Sequence, residues 1–233
     1  MEKKTVLITG SSRGIGKQLA SAFSENNWNV CGCYRSNAPD FEIPNSAFVK
    51  TDISNYKEVK DLINNAVAKF GKIDCVINNA SIASGSSIFK MTDEMWDSVI
   101  KTDLSGTFYV VKESLKQMIK QKDGAIINIV SMSAFKSYIG NANYSASKAG
   151  VIALTKTTAR EGGRFGIRSN AVLPGFHFAG MGGNASEEYI ETIKKESVLN
   201  ATTDIKELAE FIVFLSQVKT VSGQVFNFDS RLI

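Results

Sequence analysis

The sequence predicts an α/β fold: a doubly wound parallel sheet of about seven strands in a single domain. Three observations carry this. Short, β-branched apolar runs alternate with helical patterns along the whole chain. The runs are almost continuously apolar, as strands covered on both faces are. The first run ends in a glycine-rich turn that leads directly into a helix. Right-handed crossovers between parallel strands then wind the chain in both directions from its first strand.

Thr5–Thr9 (TVLIT) is the first strand, and Ile15–Asn26 is a helix with Ile15, Leu19, Ala22 and Phe23 at helical spacing. Asn29–Tyr34 and Ala47–Lys50 are strands two and three. Asn55–Phe70 is a helix with Val59, Leu62, Ile63, Ala66, Val67 and Phe70 on one stripe, and Asp74–Asn78 is strand four. Asp93–Gln121 reads as helical with a bend near Gly106. Ala125–Ser131 is an apolar strand, Tyr144–Arg164 a helix, Ile167–Leu173 a strand, Ile205–Ser216 a helix and Gln224–Phe228 the last strand. Phe176–Glu188 has no period and several glycines, and reads as a mobile loop, part of a substrate loop at about 176–200.

The 233 residues are read as one domain spanning 1–233, and 43% apolar residues are ample for a large core. A net charge of +4, scattered along the chain, argues against nucleic acid and is compatible with anionic ligands. There is no apolar run long enough to span a bilayer and no leader pattern at Met1, so a cytoplasmic location is expected. Cys31, Cys33 and Cys75 lie in strands and read as reduced, buried thiols. With His177 the only histidine, no metal site is expected.

The turn Thr9-Gly10-Ser11-Ser12-Arg13-Gly14-Ile15-Gly16 has the composition of a pyrophosphate cradle. Gly10 permits a tight turn, Gly14 a close backbone approach to phosphate, and Gly16 close packing of helix on strand. The helix N-terminus, with Ser12 and Ile15 at its mouth, presents free N–H groups and partial positive charge. Strand two ends Tyr34-Arg35-Ser36 with no acid to bond a ribose 2′-hydroxyl. Arg35, with Arg13, suits a 2′-phosphate, so NADPH is expected over NADH; the alternative is two ordinary surface arginines. Asp52-Ile53 and Asn79-Ala80 follow strands three and four at the carboxyl edge. Asp52 reads either as a partner of the adenine amino group or as part of a helix N-cap.

Tyr144 and Lys148, four apart on a helix, share a face. A phenol ordinarily ionises at about pH 10, and a neighbouring ammonium favours the phenolate, which suits an acid–base near neutral pH. Ser131, at a strand end, can donate to a substrate carbonyl. Together these motifs (TGSSRGIG, NNA, Ser131, YSASK and Leu173-Pro174-Gly175) resemble the short-chain dehydrogenase/reductase family over essentially the whole chain. The resemblance implies a Rossmann-like fold. It also implies that Tyr144 protonates the substrate oxygen, Lys148 also binds the nicotinamide ribose, Ser131 orients the carbonyl, Asn79 lines the cofactor site, and Pro174 and Gly175 flank the nicotinamide. SSRGIG, YRS, NANYSASKAG and VLPGF are similar to the 3-oxoacyl carrier-protein reductase branch. That implies NADPH/NADP+, an acyl carrier protein-bound or small-molecule carbonyl substrate, a part in fatty acid synthesis and a homodimer or homotetramer. Lys120, Lys122, Arg164 and Arg168 are candidates for docking the acidic carrier, or else solvated helix ends.

Three positions depart from that pattern. Asp103 stands where the family has a catalytic asparagine; a carboxylate there adds negative charge beside Lys148, so a shifted pH–rate profile is expected rather than loss of activity. Ser81 stands where glycine is usual. The end, Asp229-Ser230-Arg231-Leu232-Ile233, differs from the usual D-G-G and tail, which makes a dimer through the Asp93–Gln121 and Tyr144–Arg164 helices more secure than a tetramer. Phe176, Phe178 and Met181 offer apolar contact to substrate, and His177 either reaches a substrate oxygen or is an exposed loop residue. Two other readings stand beside the leading one: a reductase of another ketone, sugar or polyketide-like intermediate, and a non-catalytic NADP(H) sensor or scaffold.

Overall fold

The computed structural model describes residues 2–136, 138–179 and 185–232. Seven strands form one parallel sheet: β1 (Thr5–Thr9), β2 (Asn29–Tyr34), β3 (Ser46–Lys50), β4 (Cys75–Asn78), β5 (Gly124–Ile129), β6 (Ile167–Leu173) and β7 (Val225–Asn227). Their order is β3-β2-β1-β4-β5-β6-β7, so the winding reverses between β1 and β4. Each strand sends alternate side chains to opposite faces. Val6 and Ile8 of β1 enter one core while Leu7 enters the other; Cys75 and Ile77 of β4 likewise oppose Val76.

Two helices cover the first face, α1 (Gly14–Glu25) and α7 (Ile205–Gln217), through Leu19, Phe23, Leu208 and Ile212. On the second face α2 (Tyr56–Phe70) and α4 (Thr107–Gln121) bury Val59, Leu62, Val110 and Met118. Each such fully buried side chain contributes about 1.5–3 kcal/mol. α5 (Ala142–Gly162) packs beside α4 and sets Val151 against Ala171 and Leu173 of β6. The three cysteines are free and buried, and burial pushes the Cys31 and Cys33 thiols up to about 12. Among the described residues no helix is long and apolar enough to cross a membrane.

Several element ends shift by one or two residues, among them β5, which stops at Ile129 and leaves Ser131 two residues beyond the strand, and two elements differ more from the sequence reading. The long helix is three pieces: α3 (Asp93–Val99), a π turn (Ile100–Gly106) and α4. The bend expected near Gly106 is thus a wider turn, in which Thr107 Oγ1 donates to the Asp103 carbonyl at 2.6 Å. The stretch expected as an unstructured substrate loop contains α6 (Glu187–Glu196). Ser186 caps it by accepting from Tyr189 N, and acids in its first turn and lysines in its last suit the helix dipole. Met181, with the rest of 180–184, lies outside the described residues.

A buried polar chain ties α5 to the sheet. Asn78 Nδ2 donates to Asn128 Oδ1, Asn128 Nδ2 donates to Thr155 Oγ1, each at 2.8 Å, and Thr155 Oγ1 donates to the Val151 carbonyl. Asn128→Ala strands the polar groups on both sides. It is expected to cost about 2–4 kcal/mol and to lower Tm by roughly 5–12 °C; thermal denaturation followed by circular dichroism checks this, and a loss under about 1 kcal/mol contradicts it.

Candidate active site

The carboxyl edge of the sheet opens at the β1/β4 switch point into a cleft of about 310 Å³, where ligands of such folds bind. Gly10 and Gly14 turn the chain at φ 65° and 57°, a region costly for other residues. A Cβ on Gly10 would lie 2.8 Å from the Ala80 Cα, and one on Gly16 would lie 2.1 Å from the Gly10 carbonyl oxygen. Asn79 holds the turn from the other side, its Nδ2 donating to the Thr9 and Gly10 carbonyls at 3.0 and 2.9 Å, while Thr9 Oγ1 accepts from the Asn79 and Ala80 amides.

The first turn of α1 has no side-chain cap and no acid. Its N–H groups are therefore open to an anion, and the glycine cradle in front of them fits a dinucleotide diphosphate. Ser12, Arg13, Gly14 and Ile15 line the cleft at this end, with Arg35 and Ser36 from the end of β2. Arg13 and Arg35 are exposed and make no ion pair among the described residues, and no acid follows β2 until Asp40, which pairs with Lys17 at 2.9 Å. Asp52 and Ile53 line the cleft as well. Asp52 Oδ1 accepts from Ser54 N at 2.9 Å, but the cap of α2 is Asn55. Of the positions read from sequence as cofactor-binding, only Gly16 does not border the cleft; its absent side chain serves the packing of α1 on the β1 turn.

Ser131, Tyr144, Lys148, Pro174 and Gly175 border the same cleft at its other end. Ser131 caps a 3₁₀ turn (Met132–Ala134), its Oγ accepting from Ser133 N at 3.2 Å. Tyr144 lies in the first turn of α5, held by Asn143, a residue not singled out from the sequence. Asn143, fully buried, donates through Nδ2 to the carbonyls of Ser84 and Met95 at 2.9 Å each, and its Oδ1 accepts from Tyr144 N at 2.8 Å. One turn further on, Lys148 is 3% exposed. Its Nζ lies 5.4 Å from the Tyr144 ring centroid, donates to the Ile129 carbonyl at 3.4 Å and pairs with Asp103 Oδ2 at 3.3 Å. Asp103 sits behind the cleft wall with no exposed surface, accepting also from Ile82 N at 2.9 Å and from Ser81 Oγ.

A smaller chamber of 130 Å³ adjoins Ser131 and is walled by Tyr138, Phe176, Tyr189 and Arg231 among others. Phe176 packs edge-on against Phe178 and Tyr189, each at 5.7 Å. Arg231, in the divergent C-terminal segment, is buried there with Asp229 at 2.8 Å. Of the four basic docking candidates, Lys120, Lys122 and Arg164 are solvated residues at helix ends, and Arg168 is buried. Lys120, Lys122 and Arg164 cluster near the amino ends of β5 and β6, on the opposite edge of the sheet from Ser131. Six residues of β5, roughly 20 Å, separate the two edges. Arg168 is 7% exposed and bound to Asp123 at 2.9 Å, so it is a structural cation and not a docking one.

His177 borders the cleft, half-buried, with Nδ1 3.2 Å from the Gly175 carbonyl oxygen. It is not a freely exposed loop residue. Burial lowers its pKa below the usual 6.5, and the bond to Gly175 opposes this only in part. The fold thus favours the neutral ring. That contribution to stability is complete above pH 6.5 and declines as the pH falls below it. As the chain's only histidine, it gives an unambiguous proton resonance. Its NMR titration midpoint is expected below 6.5, and a midpoint at or above that value contradicts the burial.

The family model for short chain dehydrogenase matches residues 4–190. A 3-oxoacyl-[acyl-carrier-protein] reductase of Staphylococcus epidermidis is 34% identical, covering 96% of each chain. One from Synechocystis is 35% identical, covering 99% of this chain and 97% of its own. Among solved structures, ElxO with NADP bound superposes at a TM-score of 0.88 with 30% identity over 98% of both chains. A variant of actinorhodin polyketide ketoreductase with NADPH gives 0.88 and 28%, over 97% of this chain and 95% of its own. With the glycine cradle at the switch point and the tyrosine–lysine pair facing it across one cleft, this chain belongs to the short-chain dehydrogenase family.

Proposed function

We propose that this protein is an NADPH-dependent carbonyl reductase that converts a 3-oxoacyl thioester, carried on an acyl carrier protein, to its 3-hydroxyacyl form. The carrying observation is that Ser131, Tyr144 and Lys148 border the same cleft as the glycine cradle, in a chain 34–35% identical over nearly its full length to reductases of that name. Bound in the cleft, NADPH supplies the hydride that adds to the carbonyl carbon. The Ser131 hydroxyl donates to the substrate oxygen and holds the carbonyl in line. Tyr144 gives its phenolic proton to that oxygen as the carbon–oxygen double bond becomes single. Lys148, one turn along α5, lends its positive charge to the phenolate left behind. Lys148, Pro174 and Gly175, which line this end of the cleft, would hold the nicotinamide ribose and ring.

Arg13 and Arg35, without an acid partner among the described residues, supply charge for the 2′-phosphate. The walls of the chamber beside Ser131 receive the acyl end, with Phe176 as an apolar contact. A polyketide-like substrate is the second reading, favoured by the close superposition on the actinorhodin ketoreductase. On either reading the protein acts in the cytoplasm, and it self-associates through α4 and α5, where Phe108 and Ile119 are exposed.

The test follows NADPH consumption with acetoacetyl and longer 3-oxoacyl thioesters, and with free ketones, for the native protein and Arg35→Ala. Thioesters are expected to be reduced at least about tenfold more efficiently than free ketones. Arg35→Ala is expected to lower kcat/KM for NADPH by about 10–100-fold and to change that for NADH by less than about threefold, as loss of one charged phosphate contact predicts. Equal efficiency with NADPH and NADH, or preference for a free ketone, contradicts the proposal.

A further inference from the structure

Ser81 and Asp103 are the two cleft-side positions at which the sequence departs from the pattern of its family resemblance, and folding brings them into contact. Ser81 Oγ donates to Asp103 Oδ2, the oxygen that pairs with Lys148 Nζ at 3.3 Å, while Oδ1 accepts from Ile82 N at 2.9 Å. The carboxylate is sealed from solvent and the Lys148 side chain nearly so. Its three donors come from the segment after β4 and from α5. We propose that Ser81 is a positioning residue: its hydroxyl fixes the rotation of the Asp103 carboxylate and thereby sets where the Lys148 ammonium stands beside Tyr144.

A terminal carboxylate turns easily about its last torsion, because that torsion has broad wells. The Ile82 amide anchors one oxygen, and only Ser81 restrains the other independently of the lysine. Among the described residues Lys148 has one further acceptor, the Ile129 carbonyl at the longer distance of 3.4 Å, so the ammonium follows the carboxylate. Without the hydroxyl, the carboxylate is free to swing and takes the ammonium with it, away from its place 5.4 Å from the Tyr144 ring centroid. Serine at 81 and aspartate at 103 therefore work as one unit, in which the hydroxyl is needed because position 103 carries a charge.

This inference rests on the catalytic reading above, and a double-mutant cycle separates the two. Ser81→Ala, Asp103→Asn and the double variant are compared with the native protein on whichever carbonyl the native protein reduces best. Ser81→Ala is expected to lower kcat about tenfold, the effect of one buried charge-assisted hydrogen bond, with KM for the carbonyl within about twofold. In the Asp103→Asn background the same change is expected to cost less than about twofold. Ser81→Thr, which keeps the hydroxyl, is expected to restore most of the rate. Equal losses in both backgrounds, or a loss confined to KM, overturn the proposal. Absence of turnover on every carbonyl contradicts the catalytic reading alone. The same cycle is then read on the NADPH dissociation constant, since Lys148 borders the cofactor cleft: coupled changes support the inference and additive ones overturn it.

Discussion

A buried positive charge governs the arrangement of this site. Lys148 is almost wholly out of water, a placement that costs several kcal/mol unless the ammonium is paired. Its partners come from separate elements: Asp103 from the π turn, and the Ile129 carbonyl from the end of β5. Satisfying one ammonium therefore pins α5 to the sheet edge and to the π turn at once. Tyr144, one helical turn before Lys148, is carried to the cleft by the same constraint, with Asn143 fixing the start of the helix against the segment after β4.

The other half of the cleft depends on the backbone more than on side chains. Reversal of strand order between β1 and β4 leaves a gap at the carboxyl edge, and the two strand ends there are stitched together by Thr9 and Asn79. The stitching makes the glycine turn a rigid cradle, and the uncapped start of α1 points its amides at whatever lies in it. Arg13 and Arg35, which make no ion pair among the described residues, place positive charge at one end of the cleft, which suits a ligand bearing phosphate there, while the charge of the buried lysine at the other end is balanced by Asp103.

Much of this was legible in the sequence because it is local. β1, β2 and β6 have the predicted bounds, since each is closed by a glycine, a proline, an asparagine or a charged turn. The tyrosine–lysine pair needs only helical spacing to share a face. α6 was missed because a single one of its residues, Ile193, is buried, so no apolar stripe exists to be read; the signal was in its ends, a serine cap with acids before lysines. Arg168 was read as surface because arginine usually is. Its burial depends on Asp123, 45 residues away. The contact of Ser81 with Asp103 and the chain from Asn78 through Asn128 to Thr155 are likewise products of topology, to which spacing along the chain gives no clue. Where sequence departs from family pattern at two distant positions, the structure reveals that the departures meet.

The proposed reduction requires the phenol of Tyr144 to supply the proton while the rest of the cleft holds the cofactor. Tyr144→Phe removes one oxygen and leaves the ring beside Lys148. With NADPH affinity measured by fluorescence and carbonyl reduction by NADPH loss, binding is expected within about threefold of native and turnover lowered by about 10²–10⁴, the usual worth of a general acid. Turnover kept within about tenfold of native, with binding intact, would contradict it.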